Sequence, residues 1–176
     1  VKLLNEYFSA MHDVIEEHNG QIINYIGDSV MVVFGAPKKL DDHELLSVRC
    51  ALEMRKPLNK LNQKWDANEF SRYWKNHGID SIEARTGIHT GSVIAGNIGS
   101  DRMLQYSTIG DTVNVASRLE QKNKEFSTNI LLLLFLLHFI YSKIKLRFSN
   151  VVFSKNKTDE TFKSILLTVS YTHLRA

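Results

Sequence analysis

Gln21-Ile-Ile-Asn-Tyr-Ile26, Gly27-Asp28, Ser29-Val-Met-Val-Val-Phe34: the fold turns on how this stretch is read. Two β-prone runs are separated by a dipeptide alone, the spacing of a tight hairpin, and glycine supplies the positive φ that such a turn demands. Asp28 then sits at a hairpin tip. Upstream, Leu3, Leu4, Tyr7, Phe8, Met11, Val14 and Ile15 recur at steps of three and four, giving one apolar stripe on a helix that ends near His18-Asn19-Gly20. Downstream, Pro37 closes the second strand, and Asp41 with Glu44 reads as a capping box opening a helix to about Leu61.

From Gln63 to Asp80 the periodicity breaks down, although Trp65, Phe70, Tyr73 and Trp74 offer a partly buried face, and the stretch reads as a linker or short insertion. A strand over Ile82 to His89 follows, then a glycine-punctuated run from Gly91 to Gly99 that points to bulges or close backbone approach. Tyr106 to Ile109 is a further strand, and Gly110-Asp111 leads into a helix from about Thr112 to Lys124. The order helix, strand, strand, helix, strand, strand, helix predicts an α+β sandwich with helices on one face of a mostly antiparallel sheet.

The 176 residues suit one domain, and 43% hydrophobic with 23% charged residues excludes collagen-like and disordered chains. Charge is unevenly placed. Residues 1–128 carry a net −2 and residues 129–176 a net +5, so the main body offers no basic surface and no nucleic-acid partner is expected. All nine glycines lie between Gly20 and Gly110, which marks the last 48 residues as sequence of a different character. The single cysteine, Cys50, forms no internal disulfide and favours a reducing, cytoplasmic setting. Ile130 to Ile140 is apolar but shorter than the roughly 20 residues that a membrane-spanning helix needs. A membrane-anchoring tail would rest on that run alone. No signal peptide opens the chain, and Val1 in place of Met reads as a truncated start.

Two groups could carry chemistry. Asp28 is either a turn residue or, with little apolar cover at a hairpin tip, a ligand for a hard cation. Asn114 and Arg118 project from one helical face, which is either a solvated side or a rigid donor pair able to stabilise developing phosphoryl charge. The histidines show no zinc spacing, no nucleophile elbow or Walker lysine loop is present, and Cys50 falls among core residues.

Taken together, Tyr25-Ile-Gly-Asp28-Ser-Val-Met-Val-Val-Phe-Gly-Ala-Pro37, Gly87-Ile-His-Thr-Gly91 continuing to Gly99, and Ile109-Gly-Asp-Thr-Val-Asn114-Val-Ala-Ser-Arg118-Leu-Glu120 resemble the catalytic domain of class III adenylate and guanylate cyclases. The resemblance covers Val1 to about Leu131. It implies a ferredoxin-like core, a homodimer or pseudo-dimer with composite active sites, and conversion of a nucleoside triphosphate to its 3′,5′-cyclic monophosphate with release of pyrophosphate, in intracellular signalling. It makes Asp28 the second of two metal-binding aspartates, for two Mg²⁺ or Mn²⁺ ions in an intact domain. It makes Asn114 and Arg118 the transition-state pair that one subunit supplies to the other.

Asn24 falls at a base-reading position where adenylate cyclases carry Lys and guanylate cyclases Glu, and matches neither. Ser107 falls at the partner position, where a small hydroxyl is closest to the adenylate type, so ATP is preferred to GTP. The family's first strand, with its metal aspartate, would lie before Val1. Residues 132–176 depart from the family and end in Val169-Ser-Tyr-Thr-His-Leu-Arg-Ala176, which resembles adapter read-through, so they are read as a frameshifted or read-through tail that adds nothing to folding. This fragment is therefore expected to be nearly inactive, and regulatory or membrane domains are expected elsewhere in the parent. The alternative is a non-catalytic cyclase-like module that binds a nucleotide or dimerises without turnover.

Overall fold

The computed structural model describes residues 1–133 and, for 151–154 and 165–173, the backbone. Helix α1 spans Lys2–Glu17, and strand β1, Gln21–Ile26, returns as β2, Ser29–Phe34, in an antiparallel hairpin. The turn is Gly27-Asp28, with Gly27 at φ +63° in the left-handed region. One residue of β1, Ile23, bulges between the pairs Ile22–Val32 and Asn24–Met31.

The helix expected to run to Leu61 is instead two helices, α2 over His43–Glu53 and α3 over Arg55–Ala67. Pro57 is the reason. Its ring opposes the carbonyl four residues earlier, that of Glu53, where α2 stops, while its missing N–H costs nothing in the first turn of α3. The expected capping box does not form: α2 begins after Asp42 without a side-chain cap. Glu44 is buried beside the imidazole of His43 instead, Oε1 lying 3.3 Å from Nε2.

The stretch read as a linker is a corner of the core. There α3 continues to Ala67 and a short helix α4, Arg72–Lys75, follows. Trp65 and Trp74 are both buried, edge to face with centroids 5.6 Å apart, and the Trp65 indole Nε1 donates to Glu6 Oε2 of α1 at 2.8 Å. Cys50 is a buried core thiol whose pKa burial pushes up to about 12.

Strand β3 is Glu83–Gly91, and β4, Ile94–Ser100, pairs only with β5, Met103–Ile109, as a separate two-stranded arm. Helix α5 covers Asp111–Phe126, followed by β6, Ile130–Leu133, β7, Val151–Ser154, and β8, Ile165–His173. The main sheet has the order β1-β2-β8-β3-β6-β7, antiparallel except for the β3–β6 and β6–β7 pairs. The α+β sandwich is therefore what forms, with a difference in layering. Along β2, Val30, Val32 and Phe34 enter the main core with residues of α1, α2 and α3, whereas Met31 and Val33 point the other way into a cluster with Ile23 and Ala116 of α5. Helices thus cover both faces, because β2 is buried along its whole length.

Residues 165–173 need a further correction. The expectation that the tail adds nothing to folding does not hold for them, since their backbone pairs with β2 on one side and β3 on the other. Of the apolar run from Ile130, the first four residues form β6, and residues 134–140 lie outside the described part. Among the described residues no helix is long and apolar enough to cross a membrane.

Candidate active site

The site is organised by how closely α5 lies on β3. A Cβ at Gly87 would fall on the Ala116 carbonyl and the Glu120 amide, and one at Gly91 would come within 2.6 Å of the Thr112 hydroxyl. Only glycines allow this approach. Around it, Arg85 Nε donates to Glu120 Oε1 at 3.1 Å with both side chains buried, and Asn123 Nδ2 donates to the Thr86 carbonyl at 3.1 Å. Thr128 Oγ1 completes the network by donating to Asn123 Oδ1 at 2.7 Å. Burial pushes the Glu120 carboxyl up from its ordinary value, the Arg85 guanidinium opposes that shift, and the charge of Asp28 adds to it. Asp28 is therefore within electrostatic reach of the inner face of α5.

Asn114 and Arg118 lie on the other side of the helix. Both are exposed, and neither has a hydrogen bond or ion pair among the described residues. Arg118 and Glu120 are two residues apart, which turns the helix by about 200°. With Glu120 facing β3 and Asp28, the face bearing Arg118 and Asn114 points away from the Asp28 of its own chain. The pair is brought together, as their spacing requires, but not brought to Asp28.

Asn24 is exposed on β1 and Ser107 half-buried on β5, and the structure brings these strands together. Tyr106 packs on the cluster containing Ile23 and Met31, and Gln105 Nε2 reaches the Ile23 carbonyl at 3.5 Å. On β3, His89 is half-buried, with its Nδ1 buried and unpartnered among the described residues. Burial lowers its pKa, while the charge of Asp111 works in the opposite sense.

As a metal site the described residues are incomplete. Asp28 is a single half-buried carboxylate, and among the described residues no group of three or more His, Cys, Asp or Glu could hold an ion. Strand β8 runs alongside, with Tyr171 in register with both Ser29 and Arg85, yet Ile165–His173 contains no acid. These residues do not fit a two-ion centre. Sequence reasoning missed the Arg85–Glu120 pair and Asn123, which line the inner face of α5. The available signal was the Gly87 and Gly91 spacing within one strand, which marks a close approach by something that must itself carry partners for the strand's polar neighbours.

The chain is similar in sequence and fold to nucleotide cyclases. The model for the adenylate and guanylate cyclase catalytic domain matches residues 1–131. Adenylate cyclase 1 of Rhizobium meliloti is 39% identical over 131 residues, 74% of this chain and 18% of that protein. The receptor-type guanylate cyclase gcy-28 of Caenorhabditis elegans is 35% identical over 120 residues, 68% of this chain and 8% of that protein. The chain thus spans less than a fifth of the length of either of these relatives. Among solved structures, the guanylyl cyclase Cya2 superposes with a TM-score of 0.68 at 31% identity, covering 97% of this chain and 79% of that one. The adenylyl cyclase CyaB from P. aeruginosa superposes at 0.63 and 27% identity, covering 99% and 82%. By sequence over its first 131 residues and by fold, the chain belongs to the class III adenylate and guanylate cyclase catalytic domains, a family of lyases.

Proposed function

We propose that this chain provides the donor half of a nucleotide cyclase site to a second copy of itself, with ATP as the preferred substrate. The observation that carries this reading is the direction of α5: a rigidly seated helix presents Asn114 and Arg118, unpartnered and exposed, away from the chain's own Asp28. Donors held this way are useful only to a nucleotide bound by another chain. The reaction joins the ribose 3′-oxygen to the α-phosphorus and expels pyrophosphate. As charge grows on the phosphoryl oxygens, the Arg118 guanidinium and the Asn114 carboxamide stabilise it without having to reorganise. The arm supports self-association, since β4 and β5 leave Ile94, Met103 and Leu104 exposed.

Asn24 and Ser107 would read the base. An amide and a small hydroxyl on neighbouring strands carry no charge, and the hydroxyl supports ATP over GTP. ATP supply places the activity in the cytoplasm. With one carboxylate at the metal position and no acid in β8, the 176-residue chain should make only trace product. Incubation with ATP or GTP and Mn²⁺, followed by mass spectrometry, tests this: traces of cyclic AMP exceeding cyclic GMP are expected. Robust turnover would overturn the incomplete-site reading. Complete absence of either product would favour the non-catalytic module, which the same missing carboxylate supports.

A further inference from the structure

Between the break that separates α2 from α3 and the adjacent ends of β3 and β6 lies a cavity of about 210 Å³. Its floor is apolar: Ala51 of α2, Met54 at the break, Leu58 of α3 and Ile130 of β6 are buried, and Ala84 of β3 is half-buried. Five polar side chains line it as well, Arg55, Asn59, Ser81, Glu83 and Asn129, and none of them has a hydrogen bond or ion pair among the described residues. Their neighbours in sequence are engaged. Lys56 pairs with Glu53, Asn62 holds the Ile82 backbone through both atoms of its amide, and the Asn129 carbonyl accepts from the Thr86 N–H at 2.8 Å.

A larger cavity of about 440 Å³ shares Ser81, Glu83 and Asn129 but is lined by Arg85, Asn123 and Thr128 on the α5 side. Those three are already committed to Glu120, to the Thr86 carbonyl and to one another. The smaller cavity is therefore the one whose own polar groups are left for a ligand.

Its two charges decide the ligand class. Arg55 and Glu83 line one space without pairing to each other, so a simple anion meets one attraction and one repulsion, and so does a simple cation. A phosphate group, with more negative charge, is opposed more strongly by Glu83. A zwitterion satisfies both sides: its carboxylate accepts two parallel N–H bonds from the Arg55 guanidinium, and its ammonium donates to Glu83. Asn59, Asn129 and Ser81 can donate to the first and accept from the second. The floor then calls for an apolar side chain. The volume, below the roughly 300–1,000 Å³ of sites for drug-sized molecules, fits one amino acid and not a peptide or nucleotide.

We propose that this cavity binds a free apolar α-amino acid of the size of leucine or methionine, with its side chain on the floor of Ala51, Met54, Leu58 and Ile130 and its charged end between Arg55 and Glu83. The inference stands on these residues and is independent of the cyclase reading. Both charged side chains are exposed, so each adds little affinity and serves to select, while burial of the ligand's side chain supplies most of the attraction. A dissociation constant of about 0.1–1 mM follows for so small a ligand.

Amide NMR of the full chain titrated with L-leucine tests this. Signals of residues 51–59, 81–86 and 129–130 should move together and saturate. Isoamylamine, which is leucine without the carboxylate, and isocaproate, which is leucine without the ammonium, should each bind about threefold to fivefold more weakly. Glycine should bind about tenfold more weakly or worse, having no side chain to bury. Arg55→Gln should abolish the preference for leucine over isoamylamine, and Glu83→Gln the preference over isocaproate. Both positions are exposed, where such changes seldom unfold a chain. Equal binding of either analogue and leucine by the wild-type chain, preferences unchanged in the variants, or no movement of these signals at about 10 mM leucine, tenfold above the weakest expected constant, overturns the proposal.

Discussion

Against β3, helix α5 rests on Gly87 and Gly91, a buried Arg85–Glu120 pair and the Asn123 carboxamide, so tightly that one added methyl group would strike its backbone. The β4–β5 arm contrasts with this in every respect. It joins no strand of the main sheet, and it leaves Ile94 74% and Met103 73% exposed. Polar groups are buried where the helix needs one orientation, and apolar groups on the arm are left exposed by the described residues. The difference separates the contacts the chain makes for itself from those that the proposed function assigns to a second copy.

The largest effect should come from breaking the buried pair. Glu120→Ala strands the Arg85 guanidinium in the interior and should cost about 3–5 kcal/mol in urea unfolding. Glu120→Gln, which keeps shape and one acceptor, should cost clearly less. If both are neutral, α5 is not held as described. On the arm, Ile94→Lys with Met103→Lys should leave unfolding of the single chain within about 0.5 kcal/mol of wild type, as expected for exposed positions. The same pair should weaken self-association in sedimentation by about tenfold or more, through lost burial of apolar area. Loss of stability without loss of association would reverse the contrast between the two regions.

The smallest effect is a pH dependence on the inner face. Burial holds the His89 imidazole below its ordinary value of 6.5, so the unfolded chain takes up that proton first. The stability this neutral ring permits is present above pH 6.5 and is lost as pH falls toward its folded value. The buried His43 ring, lowered for the same reason with Glu44 and Asp42 opposing, adds to the slope. Replacing both by Gln should flatten the fall of stability below pH 6.5, read by urea unfolding at a series of pH values. An unchanged slope would place its origin elsewhere.

The hairpin was legible to the residue, because turn spacing is local and Gly27-Asp28 leaves one way to close it. So was the shared face of Asn114 and Arg118, which needs only helical periodicity. The break between α2 and α3 was also written in the sequence, at Pro57, but a continuing apolar stripe concealed it. Burial of Trp65 could not be read locally, since its indole partner is Glu6 of a helix 59 positions away. The place of β8 was harder still. Nothing within residues 165–173 names their neighbours, because the pairing depends on a gap created by β2 and β3. For the site, residue types left Asp28, Asn114 and Arg118 open between bland and chemical readings, and the family resemblance singled them out, with the latter two expected to serve the other subunit. What the sequence did not supply was the Arg85–Glu120 pair, from which the face bearing Asn114 and Arg118 is seen to point away from Asp28.

That last point is the central claim, and mixing two damaged chains tests it most directly. The measurement calls for a domain extended at its N-terminus by an aspartate-bearing first strand, so that turnover can be followed. Arg118→Ala alone should lower turnover about 100-fold to 1,000-fold, as loss of one preorganised donor does. Asp28→Ala alone should be at least as damaging. Co-expressed, the two variants form heterodimers in which one site carries both lesions and the other none, and random pairing should restore about a quarter of wild-type activity. No recovery, with heterodimers confirmed by differential tags, would mean that Asp28 and Arg118 serve one nucleotide within one chain, contrary to the direction in which α5 presents its donors.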